Sequence, residues 1–368
     1  KMRLLDRYLF LELLTPLAFC LVGIQSFIIF VTAFSDAGKI EEAKLGFGET
    51  IGYSAAASMG YLTIVIPVAL LLALLLALTQ HARHNELTAM RAAGISLWRI
   101  CIPYFIIGLI ATGVVFGLNE SVVPRCMDFA DRTLSHHSGD VSHESVYNFP
   151  FTNGRANRKW VMQGYYRPGS SKVPRPWVRW VLPDGSARIL SAEEAVRING
   201  VWVFYNAQEF SQADTASLPI PILLTNVLAM PGFDETPEEI EREIKMKGYF
   251  EERNPNIPLK DIIGYMQWHP NLSREDRGRL LTELQERVAT PVTCLVVAMI
   301  AIPFGATPGR RNLFFGVAGS IFICFLYFVL QRVSFLFGSS GAWPAWLAAW
   351  LPNLFFGISG LVMMSRIR

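Results

Sequence analysis

The sequence predicts an α-helical polytopic membrane protein with six transmembrane helices, three before and three after an inserted domain of antiparallel β structure. Three observations carry this. Apolar residues make up 52% of the 368-residue chain and charged residues 17%, where an ordinary soluble chain carries about 25% charged residues. The charges are segregated: Asp, Glu, Lys and Arg are absent from residues 13–35, 51–82, 100–119, 288–309, 312–331 and 333–365. Residues 121–282, between the third and fourth of these runs, have ordinary polarity and carry paired turn signals.

A hydrocarbon core of about 30 Å needs roughly 20 apolar residues at about 1.5 Å each. Each of the first five runs fits one helix on that measure. The sixth is longer, and SSGAWP near its start supplies a break. The fifth helix is therefore expected to end before Gly338 and the sixth to run from about Trp343 to Met364. Core helices of a large soluble protein do not explain so many charge-free runs of this length. The first run far exceeds the roughly 7–15 apolar residues of a secretory signal, and no small-residue cleavage site follows it.

Orientation follows from basic residues in the short loops. With the N-terminus inside, the cytoplasmic segments hold Lys1, Arg3, Arg7, Arg83, Arg91, Arg99, Arg310, Arg311, Arg366 and Arg368, against only Lys39 and Lys44 outside. Both termini are thus expected in the cytoplasm. The insert is expected outside it, in the periplasm of a bacterial inner membrane.

The first two-thirds of the insert reads as antiparallel strands. WVRWVLPDGSARIL alternates apolar and polar residues around Asp184-Gly185, and EAVRINGVWVFYNAQEF does so around Asn199-Gly200. Both dipeptides supply the positive φ angles of tight hairpins. KWVMQGYYR is a further strand, and the spacing predicts a sandwich or jelly roll. The last third turns helical: Thr236-Pro237-Glu238-Glu239 is a helix start, and Ser273 with Asp276 opens another helix that runs into the fourth span. The expected division is 1–120 for spans one to three, 121–282 for the insert with its helical connector, and 283–368 for spans four to six.

Signatures of chemistry are sparse. No Walker A loop is present; GATPGRRN at 305–312 lacks the lysine and hydroxyl in register and reads as a cytoplasmic turn, so the chain is not expected to hydrolyse ATP. His136, His137 and His143 have no metal-site spacing. His81 and His84 share a helix face without an evident third ligand. An intramembrane enzyme needs clustered polar groups at depth; Glu12, Gln25 and Arg332 each lie near a span end or stand alone. Four of the five cysteines, Cys20, Cys101, Cys294 and Cys324, fall in spans, leaving only Cys126 near the insert. Neither a disulfide framework nor a metal site is expected.

What remains is a polar island, RHNELTAMRAAGIS at residues 83–96. It reads as a short helix from Asn85 to Ala93 with Glu86 and Met90 on one face, closed at Gly94. Trp98 then stands where Trp favours the interface. Physics alone leaves two readings open: a loop resting on lipid, or a lever that a cytoplasmic partner pushes.

NELTAMRAAGISLWRI resembles the segment (S/N)-E-L-x-x-M-x-A-x-G-x-S of the LptF/LptG permease family, the membrane subunits of the lipopolysaccharide exporter. LDRYLFLELLTP is similar to that family's N-terminal segment, and ERVATPVTCLVVAMIAIPFG to its fourth span. The likeness covers nearly the whole chain; LDRY and GVWVFYNAQEF lie slightly nearer the LptG side. The resemblance implies a heterodimer with the paralogous permease above an LptB-type ATPase dimer, which would hold the ATP and Mg, with no cofactor bound by this chain. It implies a β-jellyroll insert that passes lipopolysaccharide to LptC and through it to LptA, and no role in binding nucleic acid. It also makes residues 83–94 the coupling helix, with Arg83, Glu86, Leu87, Met90, Arg91 and Gly94 as its coupling residues and Glu86 matching the family's acidic position.

Lipid A, with several acyl chains and anionic phosphates, calls for an apolar cavity with a basic rim. Phe27, Phe30, Phe34, Phe322, Phe325 and Phe328 are the lining candidates, and Lys39, Lys44 and Arg332 the phosphate candidates. Some family members carry a lysine in the outer half of span one. FIIFVTAF has none, which leaves that contact to the partner permease. The alternative function, a mechanotransmitting or assembly scaffold of the FtsX or MacB type without lipid passage, predicts four spans rather than six.

Overall fold

The computed structural model describes residues 4–138, 147–154, 156–164, 166, 170–182, 185–212, 218–250, 257–269, 272–305 and 313–366. The chain forms two compact units. One comprises residues 1–38, 46–130 and 273–368; the other comprises 39–45 and 131–272.

Six helical stretches among the described residues are long and apolar enough to cross a bilayer, and apart from the last residues of the third they belong to the first unit. The first is α1 (Leu4–Ser35); α2 (Ala37–Glu42) follows it. The second stretch joins α3 (Phe47–Ser58) through a 3-10 turn to α4 (Leu62–Arg83), and α5 (Glu86–Ala92) is the island. The third joins α6 (Leu97–Gly117) through a π turn at Leu118–Val122 to α7 (Val123–Ser138). Helical structure therefore continues well past residue 120, where a soluble insert was expected to begin. The π turn includes Asn119, whose side chain accepts a 2.7 Å hydrogen bond from Thr63. The last three spans are α10 (Arg274–Gly305), α11 (Leu313–Ser339) and α12 (Ala345–Arg366). The fifth helix thus runs one residue past Gly338, close to the end its sequence predicts.

Burial grades the spans. α10 packs on α4, α6, α11 and α12 and is the central helix, whereas α1, seated by Leu9 and Leu13, leaves most of its apolar length exposed. Glycine permits the closest approach. A Cβ on Gly338 would lie 2.6 Å from Ala348 Cβ and 2.7 Å from Thr282, so the α11–α12 corner seats on α10 only without a side chain there. That corner closes through Gly341 at φ 72°, with the Phe337 and Trp343 rings stacked 4.9 Å apart.

The second unit is an eight-stranded antiparallel sheet curled into a jellyroll-like half-barrel. Its strands are β1 (Phe149–Asn153), β2 (Arg158–Met162), β3 (Lys172–Pro174), β4 (Pro176–Val181), β5 (Ala187–Ser191), β6 (Glu194–Ile198), β7 (Val201–Gln212) and β8 (Ile220–Met230). The order is β1-β2-β4-β5-β7-β6-β3, with β8 along β7. β7 is long enough to serve two neighbours on one edge: Val201–Tyr205 pair with β6 and Gln208–Gln212 with β5. Both expected hairpins form. Asn199 and Gly200 have φ of 50° and 84°, the left-handed pair of a two-residue turn, and Ile198 faces Val201 across it. Gly185 at φ 86° turns β4 into β5, while Asp184 lies outside the described residues.

Alternation places Trp160, Trp202 and Phe204 in one core, which Phe233 joins from the segment after β8, with Trp160 within 5.6–5.9 Å of the other three rings. Beside it Glu235, wholly buried, accepts from Arg158 Nε at 2.7 Å and Asn153 Nδ2 at 2.9 Å. The helical connector is α8 (Pro237–Phe250) and α9 (Leu259–Trp268). α8 starts on a reciprocal capping box: Thr236 N–H donates to Glu239 Oε2 at 2.7 Å and Glu239 N–H to Thr236 Oγ1 at 3.2 Å. Ser273 caps α10 likewise, accepting from Asp276 N–H at 3.0 Å. All five cysteines are free thiols, and none lies within residues 131–272.

Candidate functional site between the second and third spans

Two left-handed corners bound the island. Asn85, at φ 60°, turns the chain out of α4 and its carbonyl accepts from Ala89 N–H at 2.9 Å. Asparagine tolerates this region better than most residues. At the other end Gly94, at φ 82°, completes a Schellman motif: Gly94 N–H donates to Arg91 O at 3.0 Å and Ile95 N–H to Met90 O at 3.1 Å. Ser96 caps α6 at once, its hydroxyl accepting from Arg99 N–H at 3.4 Å. The sequence-predicted helix from 85 to 93 is thus a seven-residue segment with fixed corners.

Its inner face is held by packing and by charge. Leu87 is buried, and Met90 and Ile95 pack on the same core. Glu86, 35% exposed, accepts from His81 Nδ1 at 2.7 Å and from the Tyr8 hydroxyl at 3.2 Å and 3.3 Å. His81 is almost wholly buried, and Glu12 Oε2 is 4.0 Å from its Nδ1. Asp6 pairs with Arg99 at 2.7 Å. The outer face is left to Thr88, Ala89, Ala92 and Ala93, with Arg83 and Gly94 exposed beside it and Arg91 half-buried. Glu86 and Met90 do share a face, and it is the inner one.

These contacts correct two expectations. His81 has partners in two carboxylates brought in from α1 and α5, whereas His84, three residues on, is exposed. Glu12 and Gln25 do not stand alone: Glu12 Oε2 lies 4.0 Å from His81 Nδ1, and Gln25 donates to Ser58 at 2.9 Å. Spacing along a single helix cannot show such clusters because their members come from different helices.

Glu12, His81 and Glu86 each offer one ligand atom, all within 4.8 Å of one another. A proton accounts for the geometry better than a metal. The 2.7 Å contact has the length of a charge-assisted hydrogen bond. His81 Nε2 is buried without a hydrogen-bond partner among the described residues, so a metal on Nδ1 would put the imidazole proton where nothing accepts it.

The lining candidates separate. Phe27, Phe30 and Phe34 are 64–78% exposed along α1, and Phe322 and Phe325 are exposed on α11. Phe328 instead packs edge-on against Tyr327 at 5.5 Å and joins the core. Lys39 lies in α2, Lys44 follows it at φ 51° with its side chain exposed, and Arg332 is exposed on α11. His143 and residues 306–312 lie outside the described residues, as do the side chains of His136 and His137.

A second polar cluster escaped the sequence reading. Tyr327 OH donates to Asn353 Oδ1 at 2.7 Å and meets Thr293 at 2.6 Å, Asn353 Nδ2 donates to Ala289 O at 2.8 Å, and Gln331 donates to Glu286 and Thr290 at 3.2 Å each. The available signal was the spacing of 286, 289, 290 and 293 along one face of α10.

The family model described as "Lipopolysaccharide export system permease LptF/LptG" matches residues 7–366. No individual curated protein matches the chain.

Proposed function

The chain belongs to the LptF/LptG family of lipopolysaccharide export permeases and is a multi-pass inner-membrane protein, and from that premise we propose that it is the noncatalytic half of an ATP-driven extractor. ATP and Mg would reside on a separate LptB-type ATPase dimer, and the paralogous permease would complete the membrane channel. The jellyroll-like unit would pass lipopolysaccharide to LptC and on to LptA. Both termini and the island would face the cytoplasm, and the bulk of residues 121–282 the periplasm, as the basic residues favour.

One observation carries the coupling role of the island: a helix with fixed corners turns small side chains, Thr88, Ala89, Ala92 and Ala93, outward. Small residues let a groove approach the backbone closely. Glu86 retains acceptor capacity for a guanidinium on the ATPase, since a carboxylate has about four lone-pair sites, and truncating one partner of a buried charge pair costs about 2–5 kcal/mol. The test is copurification of Glu86→Ala or Glu86→Arg with the ATPase; undiminished association and transport would remove the docking role. The substrate path would run along Phe27, Phe30, Phe34, Phe322 and Phe325 toward Lys39, Lys44 and Arg332. Photo-crosslinkers at 30, 39 and 332 should capture lipopolysaccharide in an ATP-dependent way, and no adduct at any of them would reject this path.

A further inference from the structure

Resting on the coupling role just proposed, we infer that the island drives α1 as well as the two spans it joins covalently, through two side-chain tethers, Tyr8 to Glu86 and Asp6 to Arg99. The island is continuous with α4 and α6, so its movement reaches those helices through the backbone. α1 has no such connection there. Its cytoplasmic end is held instead by the Tyr8 hydroxyl on Glu86, at 3.2 Å and 3.3 Å, and by Asp6 on Arg99 at 2.7 Å. Asp6 and Tyr8 are two residues apart, so on a helix they point to widely different sides. α1 is thus gripped on two flanks, one by the start of α5 and one by the start of α6, while Leu9 and Leu13 seat it on the core between. Arg99 and Asp6 are 32% and 13% exposed, so solvent screens this tether only in part.

The rest of α1 is suited to being driven. Apart from its seated end it carries the exposed Phe27, Phe30 and Phe34. Pro16 lies inside the helix one turn beyond Glu12, and a proline there withholds the hydrogen bond that would reach the Glu12 carbonyl. The tethered segment and the phenylalanine face are therefore joined at a weakened turn. Pulling the tethers would swing the part of α1 beyond Pro16 about that turn, together with α3, to which Gln25 holds it through Ser58 at 2.9 Å.

The experiment uses the full transporter, with ATPase and paralogous permease, in proteoliposomes, and reads lipopolysaccharide extracted per ATP hydrolysed. Tyr8→Phe and Asp6→Arg should each lower that ratio at least threefold while ATP hydrolysis stays within twofold of wild type. The charge swap Asp6→Arg with Arg99→Asp should restore it. A merely structural pair would shift the melting midpoint and leave the ratio alone, so melting is measured alongside. Wild-type ratios for both single variants, or no recovery in the swap, overturn the tethers. If Glu86→Ala still assembles while Tyr8→Phe uncouples, docking falls and the tether stands. If Glu86→Ala fails to assemble and both tether variants behave as wild type, docking stands and the tethers fall.

Discussion

His81 Nδ1 lies 2.7 Å from Glu86 Oε2, joining the last turn of α4 to the first residue of α5 across the Asn85 corner. They stand five positions apart in sequence, and the contact forms where Asn85 adopts a positive φ and turns the chain from α4 into α5. The corner therefore sets the helix direction, and the hydrogen bond holds it.

His81→Leu keeps an apolar volume in the core and removes the donor. A hydrogen bond to a charged group contributes about 1.5–3 kcal/mol, and about 1.4 kcal/mol is tenfold in an opening equilibrium. The amides of Ala89, Gly94 and Ile95, which close α5, should exchange at least tenfold faster by hydrogen–deuterium mass spectrometry. Unchanged exchange would show that packing of Leu87 and Met90 alone holds the island.

Gly94→Val should destabilise the island by about 1 kcal/mol or more, because a β-branched residue is strained at φ 82°. Gly94→Asn should retain most of the wild-type behaviour, asparagine being the common second choice at this helix position. Protection of the Ile95 amide distinguishes the two; equal protection in both variants would mean the Schellman closure is dispensable.

Stability of the second unit should fall as pH rises through the window set by Glu243. Burial pushes this carboxyl from 4.5 up to about 8, with Arg242 opposing. A raised folded-state value means that the folded state binds the proton more tightly, so the contribution is complete below about 4.5 and is lost as pH rises toward about 8, at up to about 1.4 kcal/mol per pH unit. His269, 3.5 Å away, faces the same carboxylate, so the diagnostic is a difference. Urea unfolding of wild type should weaken between about pH 5 and pH 8, and Glu243→Gln should flatten that slope. Parallel slopes would assign the dependence to other groups.

Arg158→Leu should cost about 3–5 kcal/mol, because it strands the wholly buried Glu235 carboxylate with Asn153 as its remaining side-chain donor. Replacing Glu235 by Gln in the same background should recover part of the loss, as an amide is far cheaper to bury than a charge. Chemical denaturation followed by tryptophan fluorescence, reporting on Trp160 and Trp202, measures both.

Features written into local sequence were the readable ones. Charge-free runs gave the spans, Asn199-Gly200 gave a hairpin, and Thr236 to Glu239 gave a helix start, since each depends on neighbours within a few residues. The island's bounds were readable for the same reason, as Gly94 and Ser96 act on adjacent backbone. The partners of Glu86 were not. Tyr8 and His81 reach it from two other helices, and nothing in the spacing of residues 8, 81 and 86 encodes how α1 is rotated against α4. The same holds for Tyr327 between Thr293 and Asn353. α9 falls in the stretch expected to be helical but its bounds were not readable, because Pro258 stands at its start in place of a capping hydroxyl or carboxylate.

Residues 131–272 contain no cysteine, so the folding of this stretch is indifferent to thiol oxidation. Its stability must come from the ring cluster around Trp160 and from the buried pair of Arg158 and Glu235. It can mature without a disulfide catalyst and should withstand strong reductants unchanged. An oxidant would find nothing there to crosslink, which leaves engineered cysteine pairs across that sheet free of native competition.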